Sequence, residues 1–251
     1  MHVCIHDTIE TMGAHAARTG ASAIREAIAS RGSANIILAT GTSQFAMLAR
    51  LVNEPGIDWS RVTAFHLDEY VGIPPSHPAS FRRYLRERVA DRLPDLREFH
   101  FIQADAPALS AEIERLNALI QGRRIDVAFI GIGENGHLAF NDPPADMETG
   151  EPYLVVDLDE RCRLQQVGEG WFATLDEVPR QAVSMSIPQI LKAERIVCTV
   201  PDARKAEAVE MALNAPVGPQ APCAALRMHR DCWLMLDYPA ARKVLRGRPA
   251  V

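Results

Sequence analysis

The chain has 251 residues, of which 24% are charged and 47% hydrophobic, and its formal net charge is -5. These values are typical of a soluble globular protein that can bury a substantial core. The acidic balance argues against a nucleic-acid binder, which usually carries a basic excess or a basic stripe, but it is compatible with a small anionic ligand.

The five cysteines are odd in number and irregularly spaced, which argues against a disulfide framework or a zinc site. Residues 1–10 lack the apolar segment of a signal peptide, and no apolar run approaches the length needed to cross a bilayer. We therefore expect buried free thiols, no membrane contact and a location in the cytoplasm.

Short apolar runs alternate with amphipathic stretches along the chain. In chain order, the pattern predicts a helix over 7–30, a strand over 36–39, a helix over 45–52, a strand over 62–67, helices over 80–91 and 108–119, strands over 125–131 and 195–200, a helix over 202–214 and a strand over 232–236. The runs are almost continuously apolar, as in parallel strands that are covered on both faces. The alternation predicts an α/β fold with a doubly wound, mostly parallel sheet and helices on both faces.

The chain shows no internal repeat, no low-complexity tract and no obvious linker, so we predict a single domain over residues 1–251. Residues 142–152 contain several prolines and acids but are too short for a domain linker. They are better interpreted as a surface loop, within a lid-like segment at about 143–175.

Ligands of open α/β sheets bind beyond the carboxyl ends of the strands, so the residues after each apolar run are informative. Thr40, Gly41, Thr42 and Ser43 follow the first run and precede a helix. Their hydroxyls and backbone N–H groups suit a phosphate. A plain turn from strand to helix, with Thr42 or Ser43 as N-cap, explains the same residues.

Two further loops carry charged residues after a strand. Asp68 and Glu69 follow the second run, where a carboxylate can act as a general base or can simply be solvated. Lys205 lies near a helix start, where a cation is unfavourable for the helix dipole. A phosphate partner would offset that cost, although a solvated surface lysine is also common.

The segment Gly131–Pro143 (GIGENGHLAFNDP) is the most informative loop. Its glycines, among them Gly136, allow a tight turn and a close approach to a ligand. His137 can transfer protons near neutral pH, and Asn135 and Asp142 flank it and can fix its tautomer. A glycine-rich turn with a solvent-facing histidine is the alternative, and the combination of residues makes it less favourable.

Motifs for other chemistries are missing from the sequence. There is no Walker loop, dinucleotide fingerprint, H-E-x-x-H motif or obvious Ser-His-Asp order, so we expect no metal and no cofactor. The remaining histidines without an evident role are assigned to structure or surface: His2, His6, His15, His100 and His229.

Three segments resemble glucosamine-6-phosphate deaminases, also called glucosamine-6-phosphate isomerases: His66–Gly72, His77–Phe81 and Gly131–Pro143. The resemblance extends from about residue 36 to about residue 237. Related 6-phosphogluconolactonases share the fold, but their loop usually lacks the ending that residues 139–143 show. The resemblance implies a modified, Rossmann-like doubly wound fold and conversion of glucosamine 6-phosphate to fructose 6-phosphate and ammonia, as in amino-sugar metabolism.

The resemblance also implies a role for each candidate residue. Asp68 would take the C2 proton of the substrate and return one to C1. His137 would help to open the sugar ring, supported by Asp142 and Asn135. The implied substrate-binding residues are Thr40, Gly41, Thr42, Ser43, Glu69, Gly136, Gln166 and Lys205.

Several positions depart from the family pattern. Thr42 and Gln44 replace a glycine and a proline of the phosphate loop, and Asp142 replaces a glutamate. Gln166 aligns with an arginine that clamps the phosphate, for which Arg161 or Arg163 could substitute. The segment 145–153 lacks the basic residues of allosterically regulated members, so we expect no activation by an amino-sugar phosphate.

These departures leave other functions open. One is another enzyme on the same scaffold, either a 6-phosphogluconolactonase-like hydrolase or an isomerase of a different amino-sugar phosphate. Another is a sensor that binds sugar phosphates without turning them over. The expected partner is in each case a small sugar phosphate, and a homo-oligomer is compatible with the sequence.

Overall fold

The computed structural model describes residues 1–245 of the chain. The strands are β1 (His2–His6), β2 (Ala34–Leu38), β3 (Val62–His66), β4 (Asp68–Tyr70), β5 (Glu98–His100), β6 (Val127–Ile130), β7 (Tyr153–Asp157), β8 (Gln181–Met185), β9 (Arg195–Val200) and β10 (Cys232–Asp237). The α-helices are α1 (Ile9–Arg31), α2 (Phe45–Leu51), α3 (Phe81–Arg88), α4 (Leu109–Ile120), α5 (Glu160–Gly168), α6 (Ile187–Ile190), α7 (Ala206–Asn214) and α8 (Tyr238–Leu245).

Seven strands form one sheet in the order β1-β10-β9-β6-β2-β3-β5. Every neighbouring pair in this sheet is parallel. The five strands predicted from the apolar runs all lie in it, with ends that differ by at most two residues. The sheet and its helices confirm the predicted α/β, doubly wound and mostly parallel fold.

Both faces of the large sheet are buried, which explains the continuous apolar runs. Successive side chains of a strand point to opposite faces. In β2, Ile36 and Leu38 pack in one cluster with α1 and α2, whereas Ile37 belongs to the cluster that contains residues of α4, α7 and α8. Helices therefore cover the sheet on both sides.

A second sheet of three antiparallel strands, in the order β4-β8-β7, was not predicted from the sequence. Strand β7 alternates between buried and more exposed residues, and β4 is only three residues long and begins with two acids. Neither has the continuous apolar run that marked the large sheet. The short edge strands β1 and β5 escaped prediction for the same reason.

Helix ends differ from the predictions in two informative places. The predicted helix over 202–214 is a short 3-10 helix, Ala203–Lys205, followed by α7. The helix predicted over 80–91 ends at Arg88 and is followed by another 3-10 turn. Within the expected lid segment of residues 143–175, the structure contains β7 and α5.

No helix among the described residues has the length and apolar character needed to cross a membrane. The five cysteines are free, and four of them are buried, as expected from their spacing.

Candidate functional site

A cavity lies at the carboxyl ends of the central strands, with about 510 Å³ of space that includes its opening to solvent. It is the place at which parallel α/β sheets bind ligands. Its polar lining consists of Thr40, Thr42, Ser43, Asp68, His137, Gln165, Gln166, Glu169 and Lys205, with the backbone of Gly41. The structure therefore brings together residues from the three central loops predicted from the sequence, together with Lys205.

Asp68 occupies the junction between the two sheets, because only Leu67 separates β3 from β4. The carboxyl group is 6% exposed, and its Oδ1 atom has no hydrogen-bond partner among the described residues. Burial, and to a smaller extent the neighbouring charge of Glu69, raises the pKa of Asp68 to about 8. A buried carboxyl without partners that faces a cavity is suited to exchanging protons with a ligand.

His137 is oriented by a carboxylate behind it. Its Nδ1 lies 2.9 Å from Asp142 Oδ1, and Asn135 Nδ2 donates to the same oxygen over 2.9 Å. Burial alone would raise the pKa of Asp142, but the hydrogen bond and charge of His137, with further hydrogen bonds, outweigh burial and lower it. An ionised Asp142 accepts a hydrogen bond from Nδ1–H of His137, which leaves Nε2 as the free nitrogen.

The loop backbone makes this arrangement possible. The backbone N–H of His137 donates to Asn135 Oδ1 over 3.1 Å, and Gly133 N donates to the His137 carbonyl over 3.0 Å. A Cβ at Gly133 would lie 2.2 Å from Nε2 of His137, so only glycine allows the ring its position. The close approach at Gly133 is therefore to the histidine ring, whereas the sequence analysis predicted an approach to a ligand.

A group of three possible metal ligands lies behind the cavity. Donor atoms of His137, Asp142 and Cys162 lie within 4.8 Å of one another. The imidazole and the carboxylate already satisfy each other, and burial, followed by the charge of Asp142, raises the pKa of the Cys162 thiol well above its usual value. A metal would need that thiol deprotonated, so the geometry favours an acid–base pair over a metal centre.

The hydroxyl-rich loop connects a strand to a helix, but neither Thr42 nor Ser43 is an N-cap, because Gly41 precedes the 3-10 turn and Gln44 precedes α2. Gly41 has a φ of 87°, a conformation that favours glycine, and it is followed by the 3-10 turn Thr42–Gln44 and then by α2. Tyr84 Oη donates to the Gly41 carbonyl over 3.0 Å, and Gln44 Nε2 donates to the Ile130 carbonyl over 3.1 Å. Gln44 thus fixes the loop to β6 from beneath.

Lys205 and Gln166 both reach the cavity. Lys205 is 6% exposed, and its Nζ lies 3.7 Å from Glu169 Oε1. Gln166 Oε1 accepts a hydrogen bond of 2.5 Å from the Tyr70 hydroxyl. Neither arginine suggested as a substitute lines the cavity, because Arg161 is exposed and the Arg163 guanidinium donates to the backbone carbonyls of residues 175 and 178.

Two residues expected to bind substrate are absent from the lining. The Glu69 carboxylate accepts hydrogen bonds from groups at the start of α3 and does not reach the cavity. Gly136 makes backbone hydrogen bonds within the loop and to Cys223, and a Cβ there would meet Met211. Both positions have contacts within the structure around the site, and their role in substrate binding stays a prediction.

Sequence reasoning missed Gln165 and Glu169, which line the cavity beside Gln166. All three belong to α5 or to its end, and Glu169 follows Gln166 by three residues and Gln165 by four, spacings that place it beside each of them on the helix surface. That spacing was the available signal, but it becomes informative only once Gln166 is known to face the cavity. None of the histidines assigned to structure or surface lines the cavity: His2, His6, His15, His100 and His229.

The comparisons with known proteins agree with this geometry. Residues 7–235 match the family model described as glucosamine-6-phosphate isomerases/6-phosphogluconolactonase. A glucosamine-6-phosphate deaminase of an Exiguobacterium species is 33% identical over 91% of this chain and 87% of its own length. Glucosamine-6-phosphate deaminase 2 of Bacillus subtilis is 34% identical over 90% of this chain and 92% of its own length.

Solved structures show the same relationship. A monomeric glucosamine-6-phosphate deaminase superposes with a TM-score of 0.86 at 29% identity, over 96% of this chain and 99% of the other. A 6-phosphogluconolactonase from Shewanella baltica has a TM-score of 0.78 at 19% identity, over 94% and 97%, and shares the fold. The extent of the family match, together with the sequence identity to the deaminases, shows that this chain belongs to the glucosamine-6-phosphate isomerase/6-phosphogluconolactonase family.

Proposed function

We propose that this protein is an enzyme that converts glucosamine 6-phosphate and water to fructose 6-phosphate and ammonia. The observation that carries the proposal is the pairing of two proton-transfer groups in one cavity. Asp68 presents a buried carboxyl without a partner, and His137 presents Nε2 because Asp142 holds Nδ1. The names of the family relatives support this choice of substrate.

The first step is ring opening. Nε2 of His137 takes the proton of the C1 hydroxyl, and the imidazolium then gives that proton to the ring oxygen as the bond between this oxygen and C1 breaks. An open-chain aldehyde results, and the C2 proton becomes acidic because it now lies next to a carbonyl. Asp142 stabilises the imidazolium that forms transiently, since its carboxylate accepts the hydrogen bond from Nδ1.

The second step moves a proton between carbons. In the fraction of the protein in which Asp68 is ionised, its carboxylate removes the C2 proton, and a proton of the substrate's ammonium group passes to the C1 oxygen, which gives an enolamine. Asp68 then returns its proton to C1, which leaves an imine at C2. Water adds to that imine carbon and ammonia departs, so no oxidant or reductant is required. The pKa of Asp68, at about 8, is closer to the pKa of the C2–H group of the substrate than the pKa of an ordinary aspartate is.

The end of the cavity formed by Thr40, Gly41, Thr42, Ser43 and Lys205 would hold the phosphate, with Gln166 as a neutral donor. The phosphate is remote from the reacting carbons, so its binding energy positions the substrate for proton transfer. Residues 143–175 would cover the site as a lid of a single domain, and a homo-oligomer and a cytoplasmic location stay predictions.

The unpartnered Asp68 carboxyl also favours isomerisation over lactone hydrolysis. Hydrolysis of a lactone needs activated water but no removal of a proton from carbon. The buried carboxyl of Asp68, at the start of β4, would therefore have less of a role in lactone hydrolysis.

The proposal is tested by incubating the purified protein with glucosamine 6-phosphate and following ammonia and fructose 6-phosphate together. We expect equal amounts of both products without added metal or nucleotide. Asp68→Asn should lower kcat by about 10²- to 10⁴-fold, the usual contribution of a general base, with little change in substrate affinity. Asp95→Asn, at an exposed aspartate, is the matched control and should retain the wild-type rate. Turnover by Asp68→Asn at the wild-type rate would contradict the mechanism.

A further inference from the structure

The cavity contains an acid that the proposed reaction does not use. Glu169 lies at the end of α5, with its side chain only 6% exposed, and Oε1 is 3.7 Å from Lys205 Nζ. Within the described part of the chain, Lys205 is the single lysine or arginine that lines the cavity. The one cation available for an anionic ligand is therefore already paired with a carboxylate.

Glu169 is held in this position from several sides. Gln165 Nε2 donates to Oε1 over 2.7 Å, and Trp171 Nε1 donates to Oε2 over 3.2 Å. Gln165 is itself fixed, because its Oε1 accepts the backbone N–H of Glu134 over 2.8 Å. A glutamate on the surface could change its rotamer and point into solvent, whereas hydrogen bonds hold this carboxylate in the wall of the cavity.

The fixed carboxylate of Glu169 disfavours a negatively charged ligand group beside Lys205. Burial lowers the pKa of Lys205, and the charge of Glu169 partly opposes that shift, so Glu169 favours the charged form of the lysine. A phosphate dianion that approaches Lys205 must compete with Glu169 and also meets its negative charge in a poorly hydrated space. A hydroxyl group has no such penalty and can donate to the carboxylate.

We infer that Glu169 is a specificity-determining residue that weakens the binding of phosphate. It thereby reduces the factor by which the enzyme prefers the phosphorylated amino sugar over the unphosphorylated one. The inference rests on the proposed function for its substrate, but its charge argument concerns phosphate binding alone. Glu169 holds Lys205 in the empty site and opposes the second negative charge of the phosphate in the occupied one.

The first test measures binding of inorganic phosphate by calorimetry, which requires no turnover. Glu169→Gln keeps the shape of the side chain and removes its charge, so we expect phosphate to bind at least about tenfold more tightly. Glu169→Ala removes the same charge with a different shape and should shift affinity in the same direction. Glu207→Gln is the matched control, since this acid is exposed, lies two residues beyond Lys205 and pairs with Lys243.

The second test compares kcat/KM for glucosamine 6-phosphate and for glucosamine. The ratio of the two values should rise at least about tenfold in Glu169→Gln, mainly through a lower KM for the phosphorylated sugar. Unchanged or weaker phosphate binding in both Glu169 variants would overturn the inference. If neither the wild type nor the variants form ammonia while phosphate binding tightens as expected, the proposed function fails and the inference that Glu169 weakens phosphate binding stands.

Discussion

A single glycine sets the geometry of the proton-transfer pair. The sequence predicted that glycines of the loop allow a close approach to a ligand, but it could not show which atom approaches. In the structure, Gly133 lies under the imidazole of His137, with no room for a Cβ. The histidine, its flanking Asn135 and Asp142 were all recognised in the sequence, because the residue types and their local spacing already carry the chemistry.

We expect Gly133→Ala to lower kcat/KM by about 10²-fold, because a displacement of His137 by about an ångström is enough for such a loss. The new methyl group would lie 2.2 Å from Nε2, so either the ring or the loop must move. Steady-state kinetics with the amino-sugar phosphate measure the effect. Gly150→Ala serves as control, since a Cβ there meets nothing within 4 Å. A normal rate in Gly133→Ala would remove His137 from the reaction.

At the scale of elements, prediction succeeded where the residues of a single strand or helix are enough to identify it. The central strands are apolar on both faces and were recognised from β2, β3, β6, β9 and β10 alone. The second sheet could not be predicted in this way, because its strands pair with partners that are distant in sequence, such as β4 with β8. The hydrogen bonds of Glu69 were not predicted for the same reason, because its partners at the start of α3 become neighbours only after folding.

Glu69 connects β4 to the start of α3. Its carboxylate accepts from Tyr70 N (2.9 Å), Ser80 Oγ (3.0 Å), Phe81 N (3.2 Å) and Arg82 N (2.7 Å). Glu69→Gln should lower the free energy of unfolding by about 2–4 kcal/mol, because a buried charged acceptor of several N–H groups is lost. Urea unfolding measures this change, with Glu87→Gln on the exposed face of α3 as control. A changed KM with unchanged stability would instead indicate contact with substrate.

At the scale of the whole molecule, the site forms where the two sheets meet. The hydroxyl of Tyr153 in β7 donates to the His66 carbonyl over 2.7 Å, and Met185 N at the end of β8 donates to the Leu67 carbonyl over 2.9 Å. The second sheet thus closes over the end of β3 and excludes water from Asp68. No local pattern encodes this assembly, so the sequence predicted the carboxylate but not its burial.

The same burial couples the stability of the whole protein to pH. The folded state raises the pKa of Asp68 from its ordinary value of 3.8 to about 8. Below the ordinary value both states hold the proton, whereas between pH 4 and pH 8 the unfolded state releases it and the folded state keeps it. The contribution of this group to the free energy of unfolding is therefore fully present at low pH and falls as pH rises towards 8.

Asp68→Asn removes this titration, so the variant should become progressively more stable relative to the wild type between pH 4 and pH 8. Urea unfolding of both proteins at pH 4, 6 and 8 measures the difference. Asp95→Asn, at an exposed site, should show a difference from the wild type that does not grow in this way. A constant difference for Asp68→Asn would mean that the carboxyl ionises as easily in the folded protein as in water. Burial by the second sheet would then not raise the pKa of Asp68, and the structural explanation for its action as a base would be wrong.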